Sequence, residues 1–378
     1  MQSLMTKISR ELRKLAVMAD YLAWLLLDPS KFTFIDKASI KKVLVVHLGA
    51  MGEILVATPL LPALKTGLKA QIKFMVAPGK EEVLQNNPYV DEVISYKNSF
   101  KENLEYLRKE KFDLAVILWP CTPKMTYMCL LAGIKRRIGG FKNIKDGLNF
   151  FLTRRMLDLR KNHAVQSNLD VIRTIGIDNP NPKIDFYISK KDVATANQKL
   201  GKIKSKSYIV IHPGFSFAAK TKYPSRWWPA ERYAEVADYL IGKYKVKVLL
   251  TGSNEEKVFS EQIKEKSKNK KDVLITNSIF SIGEFAYVLS KAKLVIAPGT
   301  GTIHLTTAFD TPIIELIGKE SLEEWHPWTS ENNYKIVHHP EVCTECDKNY
   351  CRKKTQECIL SITPQEVINA AESLLKKK

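Results

Sequence analysis

One pattern constrains this chain more than any other, and it occurs twice. A short run of β-branched and aliphatic residues without polar alternation leads into a glycine turn and then a helical stretch. Val43-Leu44-Val45-Val46 runs into Gly49-Ala50-Met51-Gly52 and the helical segment 53–68, which Pro59 and Pro62 interrupt. Strands that do not alternate are buried on both faces, as in parallel sheets covered by helices. Strands are predicted next over 72–76, 92–95 and 114–118, with helical stretches such as 101–109 between them. After the proline-rich Asp178-Asn179-Pro180-Asn181-Pro182 and a helix near 190–202, the pattern restarts. Strands are expected over 208–211, 247–250, 294–297 and 313–317, and helices over 229–243, 254–268, 284–291, 302–309 and 364–376. Strands alternating with helices predict an α/β fold of two doubly wound domains, with ligands at the strand carboxyl ends in a cleft between them.

The expected boundaries are an N-terminal helix within 1–40, a first domain over 41–177, a linker over 178–206, a second domain over 207–363 and a terminal helix over 364–378. A length of 378 residues suits two domains. With 45% hydrophobic residues and no apolar run near the roughly 20 needed to span a bilayer, the chain reads as folded and not polytopic. Residues 4–27 form a basic, amphipathic helix with Leu4, Ile8, Leu12, Leu15, Ala19, Leu22 and Leu26 on one side. It fits the membrane interface or a packed protein surface equally well. No small-residue cleavage site follows it, so the expected compartment is the cytoplasm, peripheral on the inner face of the membrane if the helix binds there.

A net charge of +19 points to polyanionic partners. The segment 135–161 concentrates that charge: nine lysines and arginines, among them Arg137, Arg154 and Arg155, face only Asp146 and Asp158. It lacks the readout motifs of a nucleic-acid binder, so an anionic saccharide or lipid headgroup is the expected partner.

Three strand–turn–helix corners carry candidate chemistry. At His47–Glu53 the turn lacks both the dinucleotide and the P-loop spacing. Its glycines allow close approach to the backbone, and Glu53 in the first helical turn is either a general base or company for the helix dipole. At Gly299-Thr300-Gly301-Thr302, unpaired N–H groups and threonine hydroxyls suit a phosphate, with His304 one turn on. At His212-Pro213-Gly214-Phe215-Ser216, followed by Lys220, Lys222 and Arg226, cations and hydroxyls could neutralise a leaving diphosphate. Of the six cysteines, Cys121 and Cys129 read as packing residues. Cys343, Cys346, Cys351 and Cys358 read either as free thiols or as ligands of a structural zinc or an iron–sulfur cluster. No motif calls for a catalytic metal.

In this order the motifs resemble glycosyltransferase family 9, the lipopolysaccharide heptosyltransferases. The likeness is carried by the 43–53 corner with Thr58-Pro59-Leu60-Leu61-Pro62-Ala63-Leu64, by Arg137-Ile138-Gly139, and by His212-Pro213-Gly214 with Arg226-Trp227-Trp228-Pro229. Gly299–Leu305, Pro312 and Gly318 complete it. The resemblance implies a GT-B fold with the acceptor on the first Rossmann-like domain and the nucleotide-sugar on the second. It implies inverting, metal-independent transfer, usually from ADP-heptose, with no cofactor beyond that co-substrate. Glu53 then stands at the catalytic carboxylate, and Ser216, Arg226, Thr300, Gly301 and Thr302 at the diphosphate. Glu255 and His304 stand by the ribose and sugar, and Gly49, Met51, Gly52, Arg137, Arg154 and Arg155 by the acceptor. The chain departs from the family at two places: Glu53 replaces the usual Asp, and Gly299 replaces the Asp of Asp-Thr-Gly. The alternatives are a nucleotide-sugar epimerase of the same fold and a non-catalytic protein that binds anionic envelope saccharides.

Overall fold

The computed structural model describes residues 35–120, 122–141, 151–157, 162–201, 207–214, 226–318, 322–343, 351 and 353–376. The N-terminal helix expected over 4–27, Ser216, Lys220, Lys222, Cys121 and Cys346 lie outside them. By packing, the chain divides into two compact units: residues up to Ala50 with Pro59–Glu81 and Pro88–Pro182, and Met51–Thr58 with Glu82–Asn87 and the residues from Lys183 onward.

The first unit holds a six-stranded parallel sheet: β1 (Lys42–His47), β2 (Gln71–Val76), β3 (Glu92–Ser95), β4 (Leu114–Ile117), β5 (Arg136–Phe141) and β6 (Arg154–Leu157). Their spatial order is β3-β2-β1-β4-β5-β6. Val43, Leu44, Val45 and Val46 at its centre are fully buried, as an unalternating run requires. The helical segment foreseen over 53–68 is two helices, Met51–Leu55 and Leu60–Leu68, with Pro59 as N-cap of the second. Pro62 causes no break, because the first-turn N–H it lacks has no intrahelical partner anyway.

The ends of the basic 135–161 segment prove to be β5 and β6, which the residue pattern did not reveal. Gly139 explains part of that silence. A Cβ there would lie 2.7 Å from the Ile117 carbonyl oxygen, so the strand needs glycine where β-branched residues usually mark a strand.

The second unit repeats the architecture with β7 (Tyr208–Ile211), β8 (Lys247–Leu250), β9 (Val273–Ile275), β10 (Val295–Pro298), β11 (Ile313–Leu316) and β12 (Tyr334–Val337) in the order β12-β11-β10-β7-β8-β9, again all parallel. Both sheets therefore have the 3-2-1-4-5-6 order of a Rossmann fold. The stretch treated as a linker contains the helix Lys190–Leu200, started by a Ser189–Asp192 capping box. It packs on the helix Ile282–Lys291 through Lys199–Glu284 (2.6 Å) and Tyr287–Asn197 (3.2 Å). It is thus part of the second unit and not a tether.

Trp228 anchors the chain end: it is fully buried, stacks edge-on against Tyr233 at 4.8 Å, and donates Nε1–H to the Ile362 carbonyl at 2.9 Å. The terminal helix Pro364–Leu375 is held to the helix Ala230–Tyr244 by Lys243 and Tyr239 on Glu372. Among the described residues no helix is long and apolar enough to cross a membrane.

Candidate functional site

In the second sheet the strand order reverses between β7 and β10, and in doubly wound sheets that is where a crevice opens at the carboxyl ends. Three sequence-predicted features meet there. The turn Gly299-Thr300-Gly301 leaves β10, His212-Pro213-Gly214 leaves β7, and Arg226 donates Nη1–H to the Gly299 carbonyl at 2.6 Å. Among the described residues, the helix Gly301–Thr307 starts without a side-chain cap, and the Thr300 hydroxyl is buried with no hydrogen-bond partner.

The helix Met51–Leu55, which carries Glu53 in its first turn, packs on this same turn. Two glycines make that possible. A Cβ on Gly52 would come within 2.9 Å of His304 Cδ2, and one on Gly301 within 3.2 Å of the Gly52 nitrogen. Glu53, half-buried, is thereby attached to the helix start that bears Thr302 and His304, and residues 51–58 count with the second unit although the sequence boundary put them in the first. His304 is buried, and burial, the Arg226 cation and His326 push its pKa down to about 4. Its ring is therefore neutral at physiological pH, with Nδ1 buried and without a hydrogen-bond partner among the described residues.

A second group lies after β8. Gly252 has φ of +157°, and a Cβ on it would meet the Glu256 carboxylate and the Asn277 amide, each at 2.7 Å. A Cβ on Gly214 would run into the same carboxyl group. Glu256 accepts from the Ser253 N–H at 2.6 Å, while burial pushes the His212 imidazole below its usual range and Glu256 opposes that shift. Thr251 Oγ1 is 3.0 Å from His212 Nδ1. Ser253 Oγ and Asn277 Oδ1 are buried without hydrogen-bond partners among the described residues. Glu255, by contrast, is exposed. Its neighbour Glu256 packs against the turns that follow β7 and β8.

In the first unit, Arg137 is buried. Its guanidinium donates to the main-chain carbonyls of Phe151 (2.7 Å), Lys135 (3.3 Å) and Ile134, tying the residues that lead into β5 to residue 151. Arg154 is half-buried and donates to the Thr153 carbonyl at 2.9 Å; for Arg155 the structure describes only its place in β6. Gly49 donates its N–H to Nδ1 of His47, a buried imidazole held down at about pKa 4 by burial. His47 thus shapes the turn out of β1, a role that no motif in the residue pattern signals.

Cys343, Cys351 and Cys358 are buried and close enough to one another that Cys343 and Cys351 add to the upward push burial exerts on Cys358. Among the described residues no group of three or more His, Cys, Asp or Glu is arranged to hold a metal ion. Cys129 is a core residue.

Two Rossmann-like units with this strand order have the architecture of the GT-B fold. The profile of glycosyltransferase family 9 (heptosyltransferase) matches residues 103–356, more than half of the sequence, and the chain belongs to that family. It is 25% identical to the lipopolysaccharide core heptosyltransferase OpsX of Haemophilus influenzae over 64% of this chain and 67% of that protein. Among solved structures it is similar to a family 9 glycosyltransferase of Veillonella parvula (21% identity, 92% and 99% coverage, TM-score 0.77). It is also similar to the Escherichia coli ADP-heptose lipopolysaccharide heptosyltransferase II (20% identity, 89% and 99% coverage, TM-score 0.73).

Proposed function

We propose that the protein transfers a heptose from ADP-heptose to a lipopolysaccharide-core saccharide, with inversion and without a catalytic metal. The observation that carries this reading is the convergence at one switch point of a cation, Arg226, a glycine–threonine helix start and buried polar atoms without partners. Buried polar atoms are normally satisfied, so such a cluster suits a polar ligand. The names of the Haemophilus and Escherichia relatives support the choice of heptose and of the core acceptor.

In this reading Arg226 and the N–H groups at Thr300, Gly301 and Thr302 take the diphosphate, with Ser216 as a further hydroxyl. Glu256, in place of Glu255, accepts from donor hydroxyls. His304 stays neutral and donates or accepts a hydrogen bond at the phosphate or sugar. Glu53 takes the proton of the acceptor hydroxyl as its oxygen bonds to the anomeric carbon. The carbon–oxygen bond to ADP breaks at the same time and its electron pair leaves on the diphosphate, which inverts the centre. Gly49, Met51, Gly52, Arg154 and Arg155 are among the acceptor residues that the family resemblance assigns. Chelators leave turnover unchanged because the cation and N–H groups carry the leaving-group charge. An acceptor that begins as a glycolipid puts the enzyme at the inner face of the cytoplasmic membrane.

The test is release of ADP from ADP-heptose with and without a core oligosaccharide, followed by mass analysis of the acceptor. Acceptor-dependent ADP release with the mass of one heptose added supports the proposal. Release at the same rate without acceptor, or no turnover of any nucleotide-sugar, rejects it.

A further inference from the structure

The first unit carries a surface that transfer chemistry does not require. On the helix Thr122–Leu131, Lys124, Tyr127 and Leu131 follow the i, i+3, i+7 spacing of one face, and all three are exposed. Tyr127 at 39% and Leu131 at 37% are two of only six large hydrophobic residues exposed among the described residues. The tyrosine ring lies 6.1 Å from Phe151, and Arg108 binds the end of the preceding helix to this one through the Leu131 carbonyl (3.2 Å). Exposed Lys109 and Lys111 follow Arg108 at the end of the preceding helix, and exposed Lys135 follows Leu131 by four residues.

None of Lys109, Lys111, Lys124 and Lys135 makes an ion pair among the described residues. The nearby acids are engaged elsewhere, Glu105 with Lys101 and Glu110 with Lys42 and Lys73.

A solvated basic face would not place a leucine and a tyrosine in the middle of uncompensated lysines. An anionic bilayer matches both components: the lysines meet headgroup charge, the tyrosine suits the headgroup boundary, and the leucine enters the acyl edge. A nucleic acid matches the charge but leaves Leu131 without a role. We infer that this face docks the protein on anionic lipid, independently of its N-terminal segment and of the donor site.

Flotation of the full chain with phosphatidylcholine vesicles, with and without phosphatidylglycerol, tests the inference. Binding should require the anionic lipid and weaken with salt. Each cation near such a surface strengthens binding about fivefold, so Lys109→Glu with Lys135→Glu should lower vesicle partitioning by more than roughly twentyfold. Tyr127→Ser with Leu131→Ser should also weaken it. Circular dichroism and nucleotide binding, both measured without vesicles, should match the wild type and show that fold and donor site are intact. Unchanged partitioning in both double variants would overturn the inference, as would equal binding to neutral vesicles. Loss of binding to a DNA duplex with no effect on vesicles would assign the face to nucleic acid instead. Because no donor or acceptor is present, failure here is separate from failure of the transferase reading.

Discussion

Gly52 and Gly301 meet backbone to backbone: a Cβ built on Gly52 would lie 3.1 Å from the Gly301 α-carbon. The contact joins the first turn of the helix bearing Glu53 to the helix start bearing Thr302 and His304. Any side chain at this point forces the two helices apart.

The two glycines should not respond alike to alanine. At Gly52 the new methyl meets the buried His304 ring at 2.9 Å and backbone at 3.1 Å, neither of which yields easily. At Gly301 the first obstacle is the Met51 Cε at 2.7 Å, the end of a flexible side chain. Gly52→Ala should cost about 1–3 kcal/mol in urea unfolding and Gly301→Ala less. A reversed order would mean that the helix bearing Glu53 is not held by this contact.

Glu53→Gln keeps size and helix start but cannot take a proton. Turnover should fall by about 10² to 10⁴ while calorimetric affinity for ADP is unchanged. Glu53→Asp should keep part of the rate, limited by its shorter reach. Transfer by the Gln variant at more than about a tenth of the wild-type rate would assign the base to another group.

Glu256→Gln and Glu255→Gln separate two adjacent carboxylates. A charge-assisted hydrogen bond to a donor hydroxyl is worth roughly ten- to a hundredfold in affinity, so Glu256→Gln should weaken ADP binding on that scale and Glu255→Gln should leave it unchanged. Equal effects of the two substitutions would remove Glu256 from the donor site.

Acid should destabilise the protein through its buried imidazoles. His47 and His304 titrate near 4 when folded, against an ordinary value of 6.5. Between those values the unfolded chain binds more protons, so stability rises with pH across that window. It is fully present above about 6.5 and is lost as pH falls towards 4, by about 3 kcal/mol per group. His47→Asn, which can still accept from the Gly49 N–H, should flatten the curve of unfolding free energy between pH 6.5 and 4. An unchanged slope would mean that His47 does not stay neutral in the folded state.

The sequence by itself determined the two doubly wound units. Their central strands are continuous buried runs, and glycine turns leave them where local backbone geometry demands it; β1, β7 and β8 lie where the pattern predicts them, and residues 299–302 do turn from strand into helix. β5 and β6 escaped notice because charge and glycine hide the strand signature.

Side-chain burial appeared only in the folded chain. Glu255 and Glu256 are equivalent as letters, yet Glu255 is exposed and Glu256 packs against Gly214 and Gly252. Arg137 reads as one cation among nine, yet it is buried and its Nε and Nη1 donate to the carbonyls of residues 134, 135 and 151. Glu53 follows β1 of the first unit in sequence, but a contact between two glycines 249 positions apart packs its helix into the second. Strand and turn propensities act over a few neighbouring residues and so are written locally. Burial, side-chain direction and contact between distant glycines depend on the packed chain and appear only when it is folded.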